Sequence, residues 1–483
     1  MDNKKIRVRF APSPTGMMHL GNVRTALMNY LFAKQKNGTF VLRIEDTDPE
    51  RNFDPEAKKI IEDLHFLGID YQEGPGKPGN FGPYFQSQRA DIYKENLQKL
   101  IERKKVYRCF CSSEELDKKR QRQIALKMPP RYDKTCCKLT DEQVKEKLDS
   151  NTPFIWRMKL DHNAKITIHD LTHGTITFDM KNFSDFPLTR QNGTFTFMFA
   201  NFVDDMVMQI THVLRGEDHL SNTAGQAALY QAFDAPLPIY WHMPILCNID
   251  GKKLSKRDFG FAIRDLKHAG YLPEAICNYL AILGASFEQE IMSLDELTQT
   301  LDFEHSHAKG QIKYDPEKLN WVNHKWIAQY DNTKLADLCL EFLVQEFPQA
   351  ANIKKDIFAH IVEIIKPGLV TLKDITRELK FLFVAPEIKK AELLAMQNQE
   401  TISLVAPLIQ KNLDLITSPE EFINTLKTES KNNNIKIKDT FSLLRIGLMG
   451  GTKGPGISEL IDILGVQESK KRLENLLGVI QTQ

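Results

Sequence analysis

Arg9-Phe10-Ala11-Pro12-Ser13-Pro14-Thr15-Gly16-Met17-Met18-His19-Leu20-Gly21-Asn22 follows an alternating apolar run at Ile6, Val8 and Phe10. It leads into Val23, Ala26, Leu27, Tyr30 and Leu31, which recur at helical spacing. The stretch reads as a strand, a stiff loop and a helix start. Pro12 and Pro14 restrict the loop, and Gly16 and Gly21 let backbone come close to a ligand. The N-terminus of the helix beyond them favours an anion such as phosphate. A second strand pattern, Phe40 to Ile44, ends at Asp46-Thr47-Asp48-Pro49. Strand, helix, strand within about forty residues predicts a βαβ unit and a parallel sheet with its ligand site at the carboxyl ends of the strands. Asp48 is expected to cap the helix that follows.

The chain of 483 residues exceeds what one core organises, so several domains are expected. Its 64 basic and 63 acidic side chains nearly cancel, which speaks against a disordered charged tail and leaves net charge silent on nucleic acid. No stretch resembles a signal peptide or a membrane span, so a cytoplasmic location is expected. Seven cysteines include a cluster at Cys109, Cys111, Cys136 and Cys137. In such a chain metal binding or reduced thiols are expected in place of disulfides.

Pro75 to Pro83 reads as a surface loop, and beyond Lys105 the pattern turns irregular, with a β-rich run from Lys165 to Phe178, as in an insertion. Asn192-Gly193 signals a hairpin, after which strand and helix patterns return through Asp204, Arg215 and Lys256. From about Asn332 strands almost vanish; Leu473, Leu476, Leu477 and Ile480 at i, i+3, i+4 and i+7 typify the helical remainder. The expected architecture is an α/β domain with a Rossmann-like parallel sheet, an α+β insertion and an all-α C-terminal region.

Two segments carry chemistry. His19, at the helix start, could donate to phosphate oxygens as charge builds during attack at phosphorus; the alternative is a buried turn with a satisfied histidine. Asn248-Ile249-Asp250-Gly251-Lys252-Lys253-Leu254-Ser255-Lys256-Arg257 places four cations after a turn at Asp250-Gly251, an arrangement suited to a triphosphate and its pyrophosphate leaving group. The alternative there is a solvated basic loop.

In this order, His19-Leu20-Gly21-Asn22 and Lys253-Leu254-Ser255-Lys256-Arg257 resemble the HIGH and KMSKS signatures of class I aminoacyl-tRNA synthetases. Arg9 to Asn22, Arg43-Ile44-Glu45-Asp46-Thr47-Asp48, Gly82-Pro83-Tyr84-Phe85-Gln86-Ser87, Leu214-Arg215-Gly216-Glu217-Asp218-His219 and Leu319-Asn320-Trp321-Val322-Asn323 resemble the glutamyl-tRNA synthetase family more narrowly. The resemblance extends through Arg445 to Gly450 and Gly454-Pro455. It implies ATP-dependent activation of L-glutamate to the adenylate and transfer to tRNA-Glu, with tRNA-Gln as a further acceptor left open. It implies ATP with Mg2+ and a monomer without membrane attachment. The division it implies is a catalytic domain at 1–86 and 190–245, a tRNA acceptor-binding insertion at 87–189, a stem-contact domain at 246–330 and an anticodon-binding region at 331–483.

The resemblance assigns catalysis to His19, Gly21, Lys253, Ser255 and Lys256, and ATP binding to His19, Gly21, Asp218 and Lys256. It puts glutamate at Arg9, Ala11, Ser13, Glu45, Phe197, Asn201 and Arg215. A planar guanidinium is the fitting partner for a carboxylate and would select acid over amide. Where the family reads Pro-Thr-Tyr, this chain reads Phe195-Thr196-Phe197, so Phe197 is expected as a pocket wall lacking the hydroxyl. Cys109, Cys111 and Cys136 are candidate zinc ligands, as in some members of the family, with the fourth ligand unassigned because Lys138 replaces a histidine; the alternative is reduced cysteines in a small core. A glutaminyl-tRNA synthetase would end in β-barrels, and a small-molecule nucleotidyltransferase would have no use for the insertion or the helical third.

Overall fold

The computed structural model describes residues 5–14, 16–48, 52–255, 258, 260, 262–284, 287–303 and 310–481. Lys256, expected at the phosphates, lies outside the described residues, as does Arg257. The chain divides into two compact units, Met1–Leu266 with Pro273–Leu319, and Lys267–Leu272 with Asn320–Gln483.

In the first unit β1 (Arg7–Phe10) pairs in parallel with β2 (Thr39–Leu42), in register from Arg7 opposite Thr39 to Phe10 opposite Leu42. The crossover is α1 (Leu20–Gln35), whose Val23, Leu27 and Leu31 are fully buried. That is the expected βαβ unit. Beyond the strands two extended segments run on together, with Arg43 N–H donating to Phe10 O at 3.0 Å and Glu45 N–H to Pro12 O at 2.9 Å. Asp48 does not cap the next helix. α2 (Lys58–Phe66) starts later, its N-cap being Ala57 at φ 53° with no side-chain cap. Asp54, nearer in the chain, accepts from Lys59 N–H at 2.9 Å and takes over that work.

The chain continues through α3 (Ala90–Glu102), β3 (Val106–Cys109), α4 (Ser113–Ala125), α5 (Asp141–Asp149) and β4 (Ile155–Met158), which pairs antiparallel with β3. β5 (Lys165–Asp170) and β6 (Gly174–Asp179) form an antiparallel hairpin. After a tight turn at Asn192-Gly193, where Arg190 N–H donates to Thr194 O, come α6 (Phe197–Val207), β7 (His212–Gly216), α7 (Leu220–Ala232) and β8 (Ile239–Met243). One sheet has the order β6-β5-β8-β7, with β5 and β7 parallel to β8. The hairpin inside the span expected for the insertion thus shares a sheet with strands of the span expected for the catalytic domain.

β5 alternates as a half-buried strand should, Ile166 and Ile168 inward and Lys165, Thr167 and His169 outward. Its last inward position holds a carboxylate, Asp170, where the period calls for an apolar side chain. β1 lies beside β7, with Thr211 N–H donating to Arg7 O at 3.0 Å. Their carboxyl ends, Arg9-Phe10 and Arg215-Gly216, therefore open on one side, facing the starts of α1 and α7.

The described part of the second unit contains helices and no strand. Leu473, Leu476 and Leu477 of Val466–Gln481 are buried, and Ile480 is half-buried, as the helical period requires. The helix Ile437–Met449 packs closely on it because residue 447 is glycine: a Cβ there would lie 2.9 Å from the methyl groups of Leu473 and Leu476. Gly450 ends that helix at φ 83°.

Candidate active site

A cavity of about 300 Å3 opens at the carboxyl ends of β1 and β7. Arg9, Ala11, Glu45, Phe197, Asn201 and Arg215, expected at the amino acid, line it together with His19, Gly21 and Asp218, expected at ATP, and Lys253, expected in catalysis. Ser13 lines an adjoining cavity that shares Glu45, Phe197 and His219. Ser255 is exposed, its N–H and hydroxyl both donating to Asp258, at 2.8 and 3.0 Å.

His19 is the N-cap of α1. Its Nδ1 accepts from Asn22 N–H at 3.2 Å, while Asn22 Oδ1 accepts from His19 N–H. Accepting at Nδ1 leaves the proton of the neutral ring on Nε2. Burial first, and then the charge of Lys253, lowers the pKa of His19 against the opposing pull of Asp218, so the neutral donor is the form present near pH 7. Gly21 leaves room for this ring: a Cβ on residue 21 would sit 3.0 Å from His19 Nδ1 and Cε1. Lys253 Nζ donates to Asp218 at 3.0 Å, which brings the basic loop to the end of β7. A Cβ on Gly216 would come within 2.6 Å of the Asp218 carboxylate, so glycine there lets Asp218 fold back.

The two arginines expected at glutamate differ sharply. Arg9 gives Nε and Nη2 to Asp205, at 3.0 and 3.2 Å, within a buried group where Arg43 donates to Asp205 at 2.7 Å and to Glu45 at 3.1 Å. Arg89 and Arg43 meet Asp204 in the same group, at 2.6 and 3.6 Å. Three guanidiniums and three carboxylates balance there. Arg215 is 6% exposed, and no carboxylate among the described residues pairs with it. It gives Nη2 to Thr223 Oγ1 and Gln226 Oε1, at 2.7 and 2.8 Å, and Nε to His242 Nε2 at 3.4 Å. Burial lowers its pKa to about 10, the mark of a desolvated cation short of counter-charge. Glu45, raised by burial against the opposing charge of Arg43, accepts from Asn201 at 2.6 Å. Phe197 opens α6, its ring 5.7 Å from that of His219.

Sequence reasoning missed Asp204, Asp205, His219, Thr223, Gln226, His242 and Asp170. It also missed Arg24, a buried arginine lining the cavity that donates to Pro244 O and Leu283 O, at 3.2 and 3.4 Å. The only available signal was a polar residue at a position where the helical or strand period expects an apolar one, as at Asp204 and Asp170.

Away from the cavity, the sulfur atoms of Cys109, Cys111 and Cys136 lie within 4.8 Å of one another, Cys111 and Cys136 at 3.5 Å. A tetrahedral zinc with sulfurs at about 2.3 Å needs them about 3.8 Å apart, so the donor set fits. Tyr132 Oη is within reach as a fourth donor: it lies 3.3 Å from Cys109 Sγ and 3.8 Å from Cys111 Sγ, and accepts from Cys136 N–H at 3.1 Å. Cys137 is not part of the group.

A parallel sheet with a histidine-capped helix and a basic loop at its carboxyl ends defines the catalytic domain of a class I tRNA synthetase. The family described as tRNA synthetases class I (E and Q), catalytic domain, matches residues 5–321, and an anticodon binding domain matches 334–477. The chain is 37% identical to the glutamate–tRNA ligase of Finegoldia magna over 488 residues, 98% of this chain and 99% of that protein. It is also 37% identical to that of a Sulfurihydrogenibium species over 478 residues, 98% and 99% of the two. A crystal structure of a glutamate tRNA ligase from Elizabethkingia meningosepticum in complex with its amino acid superposes with a TM-score of 0.87 at 32% identity, covering 99% of this chain and 100% of that one. The chain belongs to the glutamate–tRNA ligase family.

Proposed function

We propose that the protein joins L-glutamate to ATP to form glutamyl-adenylate, releasing pyrophosphate, and then transfers the glutamyl group to the 3′ end of tRNA-Glu. The observation that carries this reading is Arg215, a buried guanidinium without a carboxylate partner among the described residues, in one cavity with the carboxylate of Glu45. A substrate bearing a side-chain carboxylate and an ammonium group complements both. Arg9, Ala11, Ser13, Phe197 and Asn201 complete the amino-acid subsite. Opposite them, His19 Nε2–H and Lys253 stabilise phosphate oxygens as charge moves onto the leaving pyrophosphate, with Lys256 in the same role and Asp218 orienting Lys253. Mg2+ enters with the triphosphate.

The enzyme works as a monomer in the cytoplasm, where its tRNA is; no described helix is long and apolar enough to cross a membrane. The region from 87 to 189 receives the acceptor end and the region from 331 onward reads the anticodon. Cys109, Cys111 and Cys136, with Tyr132, would hold a zinc ion, which would brace the acceptor-binding region. Aminoacylation of purified tRNA-Glu and tRNA-Gln, each with labelled glutamate and labelled glutamine, tests the assignment. Glutamylation of tRNA-Glu with glutamine inert is the expected result, and glutamine charging would overturn it.

A further inference from the structure

Two hydrogen-bond chains leave Arg215, and each has a direction that its ends dictate. Arg215 can only donate, and an ionised carboxylate can only accept. One chain runs from Nη2 to Gln226 Oε1, from Gln226 Nε2 to Asn201 Oδ1 at 2.6 Å, and from Asn201 Nδ2 to Glu45. The other runs from Nη2 to Thr223 Oγ1, from the Thr223 hydroxyl to His242 Nε2 at 2.9 Å, and from His242 Nδ1–H to Asp170 Oδ2 at 2.6 Å. Asp170 is wholly buried, and its two oxygens also accept from the N–H groups of Thr172, His173 and His242, at 2.9, 2.9 and 3.1 Å. His242 is wholly buried as well, with its ring stacked on Tyr240 at 5.6 Å.

The acceptor-only carboxylate forces the imidazole proton onto Nδ1. Nε2 then offers a lone pair on the side where Thr223 and the Nε of Arg215 both bring hydrogens. Nη1 makes no hydrogen bond among the described residues, in a side chain that lines the cavity. The counter-charge of Arg215 is thus held back behind a neutral ring. It orients the guanidinium without covering the edge that a substrate needs.

We infer that Asp170 and His242 are positioning residues which, through the tautomer of His242, hold Arg215 with its free edge toward the cavity and so set the affinity for the side-chain carboxylate of the amino acid. This rests on the reading of Arg215 as the group that binds that carboxylate. None of the sequence motifs around the site contains Asp170 or His242.

The test is Asp170→Asn in the full chain. Its amide oxygen stays where Thr172 and His173 donate, so its NH2 faces His242 Nδ1 and drives the proton to Nε2, setting donor against donor at Arg215, as in a triad whose aspartate becomes asparagine. Aminoacylation of tRNA-Glu should show the glutamate KM up by about tenfold or more, the loss of one hydrogen bond to a charged group, with the ATP KM nearly unchanged. His242→Gln has no tautomer to invert, so in that background Asp170→Asn should add little further penalty; such non-additivity is the signature of coupling through the ring. If Asp170→Asn does not fold, Thr223→Val, which removes the hydroxyl between Arg215 and the ring, must raise the glutamate KM alone.

A glutamate KM unchanged in the variant that folds, a penalty undiminished in the glutamine background, or equal rises for glutamate and ATP would each overturn the inference. Arg215→Gln separates the two layers. If it raises the glutamate KM while Asp170→Asn does not, the positioning fails and the role of Arg215 stands. If Arg215→Gln leaves that KM unchanged, the role of Arg215 fails first.

Discussion

Replacing Asp205 by asparagine should destabilise the first unit more than replacing any exposed acid in it. Asp205 accepts from Arg9 at 3.0 and 3.2 Å and from Arg43 at 2.7 Å, and its side chain is 5% exposed. The group it belongs to is neutral, with Arg9, Arg43 and Arg89 against Glu45, Asp204 and Asp205. Asparagine keeps the shape, removes one negative charge and turns an NH2 toward one of two guanidiniums, leaving a net positive charge in a buried group. Removing one partner of a buried pair costs about 3–5 kcal/mol, and a surplus buried charge leaves little room for relaxation. With a urea dependence of about 3 kcal/mol per molar, the midpoint of the first transition should fall by about 1 M or more.

The control is Glu95→Gln, which removes the exposed Lys99–Glu95 pair of α3, 2.7 Å long, and should leave the midpoint where it is. Burial raises the pKa of Asp205, but Arg9 and Arg43 together bring it below the ordinary value. Its contribution is therefore present above the unfolded pKa, near 3.9, and is lost as pH falls through the lower folded value. The variant should accordingly lose its deficit relative to the parent below about pH 4. A midpoint at neutral pH indistinguishable from that of Glu95→Gln would refute the reasoning.

Four further outcomes are expected. Phe197→Tyr should lower the glutamate KM several-fold, about 1 kcal/mol for one neutral hydrogen bond beside Glu45 and Asn201; an unchanged or raised KM means the site is built around phenylalanine, with Phe195 packed edge-on against Tyr93 at 5.4 Å. Gly21→Ala should push the His19 ring off its cap and lower kcat by about tenfold or more with little change in the glutamate KM, since one donor to the developing charge is displaced; an alanine variant with parental kcat contradicts the close approach. Because burial raises Glu45, lowering the pH should protonate it and raise the glutamate KM at a higher pH than an ordinary carboxylate titrates, and Glu45→Gln should flatten that profile. Tyr132→Phe should weaken zinc retention against a chelator, read as metal content after dialysis, whereas Cys137→Ser should leave it unchanged; the reverse pattern would assign the fourth ligand to Cys137.

Much of this arrangement is legible in the order of residues, and particular elements show where legibility stops. The 3.6-residue period of Val23, Leu27 and Leu31, the prolines and glycines before them and the turn at Asp250-Gly251 are interactions between near neighbours, so the βαβ unit and both loops could be read directly. The helical character beyond Asn332 follows from the same period. Asp48 misled because several acids precede one helix and the sequence does not say which lies against its first turn; Asp54 does.

Tyr132 was invisible as a donor because its phenol reaches Cys109 across 23 residues of chain whose path no local pattern dictates. By itself, then, the sequence determined the fold class and the cavity's place at the strand ends, and it named Arg9, Glu45, Asn201 and Arg215 among the side chains that line it. Only the tertiary structure decided which of two arginines keeps a free edge. Asp205 of α6 pairs with Arg9 of β1 across 196 positions, and Asp170 of β5 reaches His242 of β8 across 72, because elements distant in the chain adjoin in space. A buried charge takes as its partner whatever that packing brings within hydrogen-bond reach.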